Sequence, residues 1–382
     1  MGQIRFVDFS SFDDSDWSDP RWMVVCSTDD YDPLVYRQLI ERYPGLHIFG
    51  IRSFMGVFTP SGFLRGSFGL LFEGNSFAHF DMRFVRCNPE DDFRALAREC
   101  AAELCKGFDA SGEALIMHGT PGYEERIIEG ILDVTGDDVH IYGATAASDS
   151  FTGEVYIFYD GESATHGFLI GRLNPMSLMR FAVLSGYLPT RYRGVVTRSE
   201  GRVVYNIDNR PALDVYNLWT ERILERELRR GGLQSRITGM YPLGRVYGSS
   251  DDVFWLSHLV YSDRETGSLT FYSEIEQGVE VVLMRGSEKM LVHRMKQAVD
   301  EAIGNVSPSR IRGAILIYCA GCTDLVQEST DDICNYVRDA IGGRAFLGFS
   351  SFGEQGRLMS LHRSYHGNLM CGVLLFLDSE GD

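Results

Sequence analysis

Three stretches of the chain repeat one pattern, and that repetition limits the fold more than any other feature. They are Phe49-Gly50-Ile51-Arg52-Ser53-Phe54-Met55-Gly56, Tyr142-Gly143-Ala144-Thr145-Ala146-Ala147-Ser148-Asp149 and Gly348-Phe349-Ser350-Ser351-Phe352-Gly353-Glu354-Gln355-Gly356. With Gly50, Gly143 and Gly348 aligned, small polar residues recur just beyond each. Glycine at such a point lets one backbone approach another closely. Each glycine is preceded, 24 to 29 positions earlier, by an apolar run ending in Cys26, His118 or Cys319, with a helical stretch between. That length suits the strand–helix–strand crossover that parallel strands require. The reading is three copies of one βαβ-like unit. The plainer alternative is that βα loops share Gly and Ser because both residues close turns.

Elsewhere the pattern predicts helices over 33–43, 91–108, 123–132, 208–230, 287–303 and 330–341. The Gly231-Gly232 pair reads as the stop of the fourth. Residues 154–159 and 166–172 read as strands paired around Asp160-Gly161. Residues 77–86, 192–196, 202–207, 253–261, 268–272, 280–284 and 368–377 read as further strands. The Asp- and Ser-rich residues 1–21 read as a solvated lead-in. The fold class expected is α/β: two related halves built from βαβ units with added antiparallel strands.

The 36 basic against 53 acidic residues give a net charge of −17. That argues against nucleic acid or an anionic membrane as main partner, because such binding needs a basic patch. No apolar run reaches the length of a membrane span, and nothing in the first residues reads as a signal peptide. A cytoplasmic protein is expected. The eight cysteines do not suggest a disulfide scaffold in a chain of 382 residues.

Several ordered motifs resemble the FIST proteins, with their FIST-N and FIST-C parts. They are Gly143 to Asp149, Phe158-Tyr159-Asp160-Gly161, Gly201 to Asp208 with Pro211-Ala212-Leu213, Tyr241-Pro242-Leu243-Gly244, Glu274 to Gly278, Tyr318-Cys319-Ala320-Gly321 and Gly348 to Glu354. The resemblance implies a FIST-N-like domain over 22–219 and a FIST-C-like domain over 220–382. It implies a sensory module for small ligands, with amino acids proposed. Output would act in trans through a histidine kinase or similar protein, since no effector domain is read in the chain. Some members resemble haem-dependent nitric-oxide sensors. The chain departs from the family pattern at Arg52, where a small residue is usual, near Cys322, where Arg is common, and at Gln355, where an aliphatic residue is usual.

Ligands of open parallel sheets bind beyond the carboxyl ends of strands. The candidate ligand-binding set is therefore Arg52, Ser53, His118, Thr145, Ser148, Asp149, Cys319, Ser350, Ser351 and Glu354. Arg52 is suited to a carboxylate, the hydroxyls to polar groups, and Asp149 or Glu354 to an ammonium. The plainer reading gives these residues to caps and turns. No catalytic residue, metal site or resident cofactor is expected. His118 is the residue to test for haem. Cys319-Ala320-Gly321-Cys322 has redox spacing, which keeps a thiol enzyme as a further alternative.

Overall fold

A computed structural model describes residues 3–11, 13–30, 32–74, 79–150, 154–229, 234–247, 254–358 and 361–378. The chain begins with β1 (Gln3–Asp8), β2 (Pro20–Ser27), α1 (Pro33–Arg42), β3 (His47–Arg52), the hairpin β4 (Val57–Thr59) and β5 (Gly62–Leu64), and β6 (Ser67–Glu73). It repeats this plan with β7 (His79–Arg86), α2 (Phe93–Leu104), β8 (Ala114–Gly119), α3 (Glu124–Thr135), β9 (His140–Thr145), the hairpin β10 (Ile157–Tyr159) and β11 (Glu162–Ala164), and β12 (Gly167–Asn174). A third copy opens at β13 (Met179–Ser185).

An insertion follows: β14 (Leu188–Glu200), β15 (Val203–Ile207), β16 (Arg210–Pro211), α4 (Ala212–Trp219), α5 (Ile223–Arg229), α6 (Gln234–Thr238), β17 (Leu243–Val246), β18 (Phe254–Ser257), β19 (Leu259–Ser262), β20 (Leu269–Phe271) and β21 (Glu280–Arg285). The third copy resumes with α7 (Glu288–Ile303), β22 (Ile311–Cys319), α8 (Ala320–Leu325), α9 (Thr330–Ala340), β23 (Ala345–Ser351), the hairpin β24 (Glu354–Gly356) and β25 (Tyr365–Gly367), and β26 (Met370–Leu377).

Helix ends follow the sequence. Asp32 accepts from the Leu34 N–H and Pro33 fills the first helical position of α1. Ser287 caps α7, and Gly304 ends it at φ 50°.

The three copies form three sheets of one plan: β1-β6-β2-β3-β10-β11, β7-β12-β8-β9-β24-β25 and β13-β26-β22-β23-β4-β5. In each, the two central strands are parallel and joined by a helical crossover, and antiparallel strands flank them. The hairpin of each copy pairs with a different copy. That of the first joins the third, that of the second joins the first, and that of the third joins the second. The exchange crosses the 219/220 boundary in both directions.

The exchange closes a ring at the aligned loops. The Phe54 N–H donates to the Ser350 carbonyl at 2.9 Å, Ala147 N–H to Arg52 at 2.8 Å, and Phe352 N–H to Thr145 at 3.2 Å. The donors occupy one aligned position and the acceptors another, so the three bonds circle a pseudo-threefold axis. Phe54, Ala147 and Phe352 pack on that axis with Met55 and Ala320. The mixed α/β class with βαβ units and added antiparallel strands is the class observed.

Four details differ from expectation. Gln3–Asp8 is an edge strand paired with β6, and Ile4 and Val7 are buried. Asp160 and Gly161 both take positive φ, as a two-residue hairpin turn requires, so β10 pairs with 162–164; β12 instead joins β7 and β8. The helix over 208–230 starts only at Ala212 and breaks at Glu221 and Arg222, both at positive φ, which lets Trp219 and Leu224 bury in the same cluster. Cys319 is not the equivalent of Cys26 and His118: those lie opposite Ile51 and Ala144, whereas their counterpart opposite Phe349 is Ile317. The strand β22 runs two residues further before its helix. Gly231 and Gly232 lie outside the described residues, as do Phe77 and Val253.

Candidate functional site

The three hairpin seats differ at one position. Each seat is the point where an exchanged hairpin crosses an aligned glycine. Phe158 crosses Gly50, Phe58 crosses Gly348, and Gln355 crosses Gly143. All three crossing side chains are buried. Two seats are therefore filled by aromatic rings and the third by an amide. A buried amide demands partners, and it gathers them.

Gln355 Nε2–H donates to Thr145 Oγ1 at 2.9 Å, and the Thr145 hydroxyl donates to Glu124 Oε1 at 3.1 Å. Gln355 Nε2 also lies 3.1 Å from His366 Nδ1. His366 stands on β25, and its Nε2 points at Glu124 Oε1 from 4.0 Å. Glu124 and Glu125 open α3, where the helix dipole favours carboxylates. Arg202, in the turn between β14 and β15, reaches across from the insertion. Its guanidinium donates to Oε2 of Glu124 and of Glu125, each at 2.7 Å. The Glu274 N–H donates to the other oxygen of Glu125 at 2.8 Å.

The insertion completes the outer wall. Arg245 donates to the Glu274 carbonyl at 2.8 Å and to the His366 carbonyl at 2.6 Å. Tyr247 stacks on Tyr365 with centroids 4.4 Å apart and donates to Glu276 at 2.9 Å. A cavity of about 220 Å³ lies among Glu125, Arg245, Tyr247, Glu274, Tyr365 and His366.

Charge is unevenly settled here. Burial pushes the Glu125 carboxyl up, but His366, Arg202 and the Glu274 N–H more than reverse this and hold it low. Burial, then the charge of Glu125, raises Glu274 above the usual carboxylate range. Three buried acceptor or donor atoms of the cluster, Gln355 Oε1, His366 Nε2 and Arg245 Nε, have no hydrogen-bond partner. The arrangement can hold a small polar molecule, with the carboxylates of Glu125 and Glu274 for a cation and with His366 and Arg245 in the lining.

Thr145 is the one residue of the sequence-derived set hydrogen-bonded into this cluster. Most of the others sit round the pseudo-threefold axis and are bonded within the fold, Ser53 to Ser350 and Ser351 to Glu354 among them. Ser53 Oγ donates to the Gly56 carbonyl at 2.7 Å and accepts from the Ser350 N–H at 2.9 Å. Ser350 Oγ meets Thr323 Oγ1 at 2.8 Å, and the Ser351 hydroxyl donates to Glu354 Oε1 at 2.7 Å. Ser148 donates to the Ser150 carbonyl. Asp149 pairs with Arg65 and accepts from the Met55 N–H at 2.8 Å. Arg52 donates to the Glu154 carbonyl at 3.0 Å and lies over Tyr156.

His118 is packed between Phe49 and Phe349, and its Nδ1 meets the Ala144 carbonyl at 3.2 Å. Burial pulls its pKa down to about 4. Cys319 and Cys322 are both buried, 3% and 1% exposed. Burial pushes the Cys319 thiol up, but Cys322 and the N–H groups of Leu369, Gly321 and Cys322 bring it below its usual value. Glu354 beside it is raised by burial and by that thiol, and accepts from the Met370 N–H at 3.1 Å.

Gln355, His366, Glu124, Glu125, Arg202, Arg245 and Glu274 were absent from the sequence-derived set. Gln355 carried a signal, as the polar residue where an aliphatic one is usual. Gly201-Arg202 and Glu274-Ile275-Glu276 lay within motifs of the resemblance. Nothing in the sequence joined them.

Comparison with known proteins bears on this geometry. The FIST N domain matches residues 22–210 and the FIST C domain residues 212–357. An uncharacterized protein of Methanocaldococcus jannaschii is 28% identical over 187 residues, 44% of this chain and 35% of that protein. The aligned stretch thus spans about a third of that relative's length. Among solved structures, a chorismatase crystal structure aligns over 98% of both chains at 10% identity and a TM-score of 0.36.

Proposed function

The chain belongs to the FIST family, and on that premise we propose that it senses a small amino-acid-like or similar polar metabolite held in the cavity beside His366. FIST domains are sensory and signal-transduction domains. The observation that carries the reading is the polar third seat: where Phe58 and Phe158 fill their seats, Gln355 lies 3.1 Å from Nδ1 of His366, which lines a cavity of about 220 Å³ and has an unpartnered Nε2. A ligand ammonium is matched by Glu125 and Glu274, and a ligand oxygen by His366 Nε2 and Arg245 Nε, which have no partner in the fold. The bound state is reported to a separate signalling protein such as a histidine kinase. The hairpin β24–β25 suits that task, because it carries both Gln355 and His366 and is seated on a copy other than its own.

Thermal unfolding against a panel of amino acids and common metabolites tests the proposal. A true ligand raises stability roughly as RT ln(1 + [L]/Kd). A flat response across the panel contradicts it. A haem-dependent sensor is the rival within the family. Haemin titration giving a stoichiometric Soret band that His118→Ala abolishes would replace the amino-acid reading. A thiol redox role for Cys319 and Cys322 is a second reading, favoured by the hydrogen bonds that lower the Cys319 thiol and opposed by its burial.

Among the described residues no helix is long and apolar enough to cross a membrane.

A further inference from the structure

We propose that Glu124, Glu125 and His366 form a binding site for one divalent first-row cation of the kind that takes mixed nitrogen and oxygen ligands, zinc being the representative. The ligand atoms of these three side chains lie within 4.8 Å of one another. Zinc holds imidazole nitrogen and carboxylate oxygen at about 2.0–2.2 Å, so a contraction of roughly 1 Å brings the three onto one ion. The acidic pair alone would be no argument. The independent observation is His366, whose side chain is fully buried and whose Nε2 has no hydrogen-bond partner while pointing at Glu124 from 4.0 Å.

The surroundings supply what a metal site needs around its ligands. A metal-bound imidazole is held by a partner on its other nitrogen. Gln355 occupies that place, 3.1 Å from Nδ1. The oxygen and nitrogen of a side-chain amide are assigned from the network rather than observed. With the Gln355 oxygen turned toward His366, it accepts Nδ1–H and the Thr145 hydroxyl. Nε2 then presents a lone pair, and Glu124 Oε1 is released from Thr145. Arg202 keeps the Oε2 atoms of both glutamates. Two carboxylates against one guanidinium leave a net negative charge that a divalent ion offsets. Three protein ligands leave a position open toward the cavity of about 220 Å³, where a metabolite carboxylate can complete the shell.

The inference shares a wall with the proposed ligand cavity but does not need the ligand, so the two fail separately. The full chain, stripped with chelator and desalted, is titrated with Zn²⁺ and with Co²⁺ in the absence of any metabolite. One equivalent is expected to bind. X-ray absorption of the zinc-loaded protein is expected to give one imidazole and an otherwise oxygen shell, a readout that requires no variant. His366→Gln and Gln355→Leu should each weaken uptake by about tenfold or more. The exposed His362, paired with Asp138 at 3.7 Å, serves as control, and His362→Asn should leave uptake unchanged. No stoichiometric uptake, sulfur in the shell, or uptake indifferent to His366→Gln overturns the proposal.

Discussion

The seats on the first and second copies share a backbone and differ in chemistry. At the first, Phe158 lies across Gly50 and packs against Tyr36, its ring centroid 5.0 Å away. At the second, Gln355 lies across Gly143 in the same antiparallel pairing and bonds to Thr145 and His366. One seat is a dry joint. The other is a joint and the support of His366, which lines a cavity. The fold supplies equivalent positions, and single side chains decide which of them can recognise a ligand.

The largest effect should come from the feature the seats share. A Cβ at Gly50 would lie 1.9 Å from the Val25 carbonyl oxygen, and one at Gly143 2.2 Å from that of Met117. Those contacts are with backbone and cannot be relieved by a rotamer. Gly50→Ala should cost about 3 kcal/mol or more, read by urea denaturation; a cost near zero would mean the close approach does not hold the sheet together.

The next test separates the seats. Phe158→Ala removes a fully buried ring and should cost about 3–4 kcal/mol. Gln355→Leu keeps apolar volume, removes an unpartnered oxygen and loses the bonds to Thr145 and His366, and should cost only about 1 kcal/mol. Equal losses would erase the distinction between joint and site.

Acid should act on the dry parts first. His118 and His258 are each held near pKa 4 by burial, against 6.5 when exposed. Both are neutral in the folded chain, and the unfolded chain binds their protons at higher pH. The stability they retain is fully present above 6.5 and is lost as pH falls from 6.5 toward 4. Each contributes a loss of about 2–3 kcal/mol over that window. His118→Phe should flatten that fall; an unchanged acid profile contradicts the assignment.

A smaller effect is expected at Cys319. Its lowered thiol is buried, so native alkylation should be slow at neutral pH and become fast only on unfolding. Rapid native modification confined to Cys319 would favour the redox reading.

How much of this was legible in the sequence follows from range. The repeat was visible because Gly50, Gly143 and Gly348 sit at matching points inside short strands whose neighbours in sequence are also neighbours in space. The hairpin at 157–164 carries local turn chemistry in Asp160-Gly161, which is why a strand near 154–159 could be read, whereas residues 357–364 between β24 and β25 carry no Gly, Pro, Asn or Asp and that hairpin was not read. Their exchange between copies depends on partners as far off as Phe58 and Gly348, and no local pattern encodes that pairing. The same limit applied to the site. Arg202 and His366 meet Glu124 only after the insertion and the third hairpin have docked on the second copy. The aligned stretches meet at the axis, where Ser350, Arg52 and Thr145 accept backbone bonds from Phe54, Ala147 and Phe352.

The central claim is that recognition lies at the Gln355 seat and not on the axis loops. Calorimetric titration tests it, using the metabolite that stabilises the chain most in the thermal panel, on the parent protein, Glu125→Gln and Ser350→Ala. The account predicts that Glu125→Gln weakens binding by about 2 kcal/mol or more, roughly thirtyfold, because a buried charged partner is lost, while Ser350→Ala leaves the affinity unchanged. Affinity kept in Glu125→Gln and lost in Ser350→Ala would contradict it and return the site to the pseudo-threefold axis.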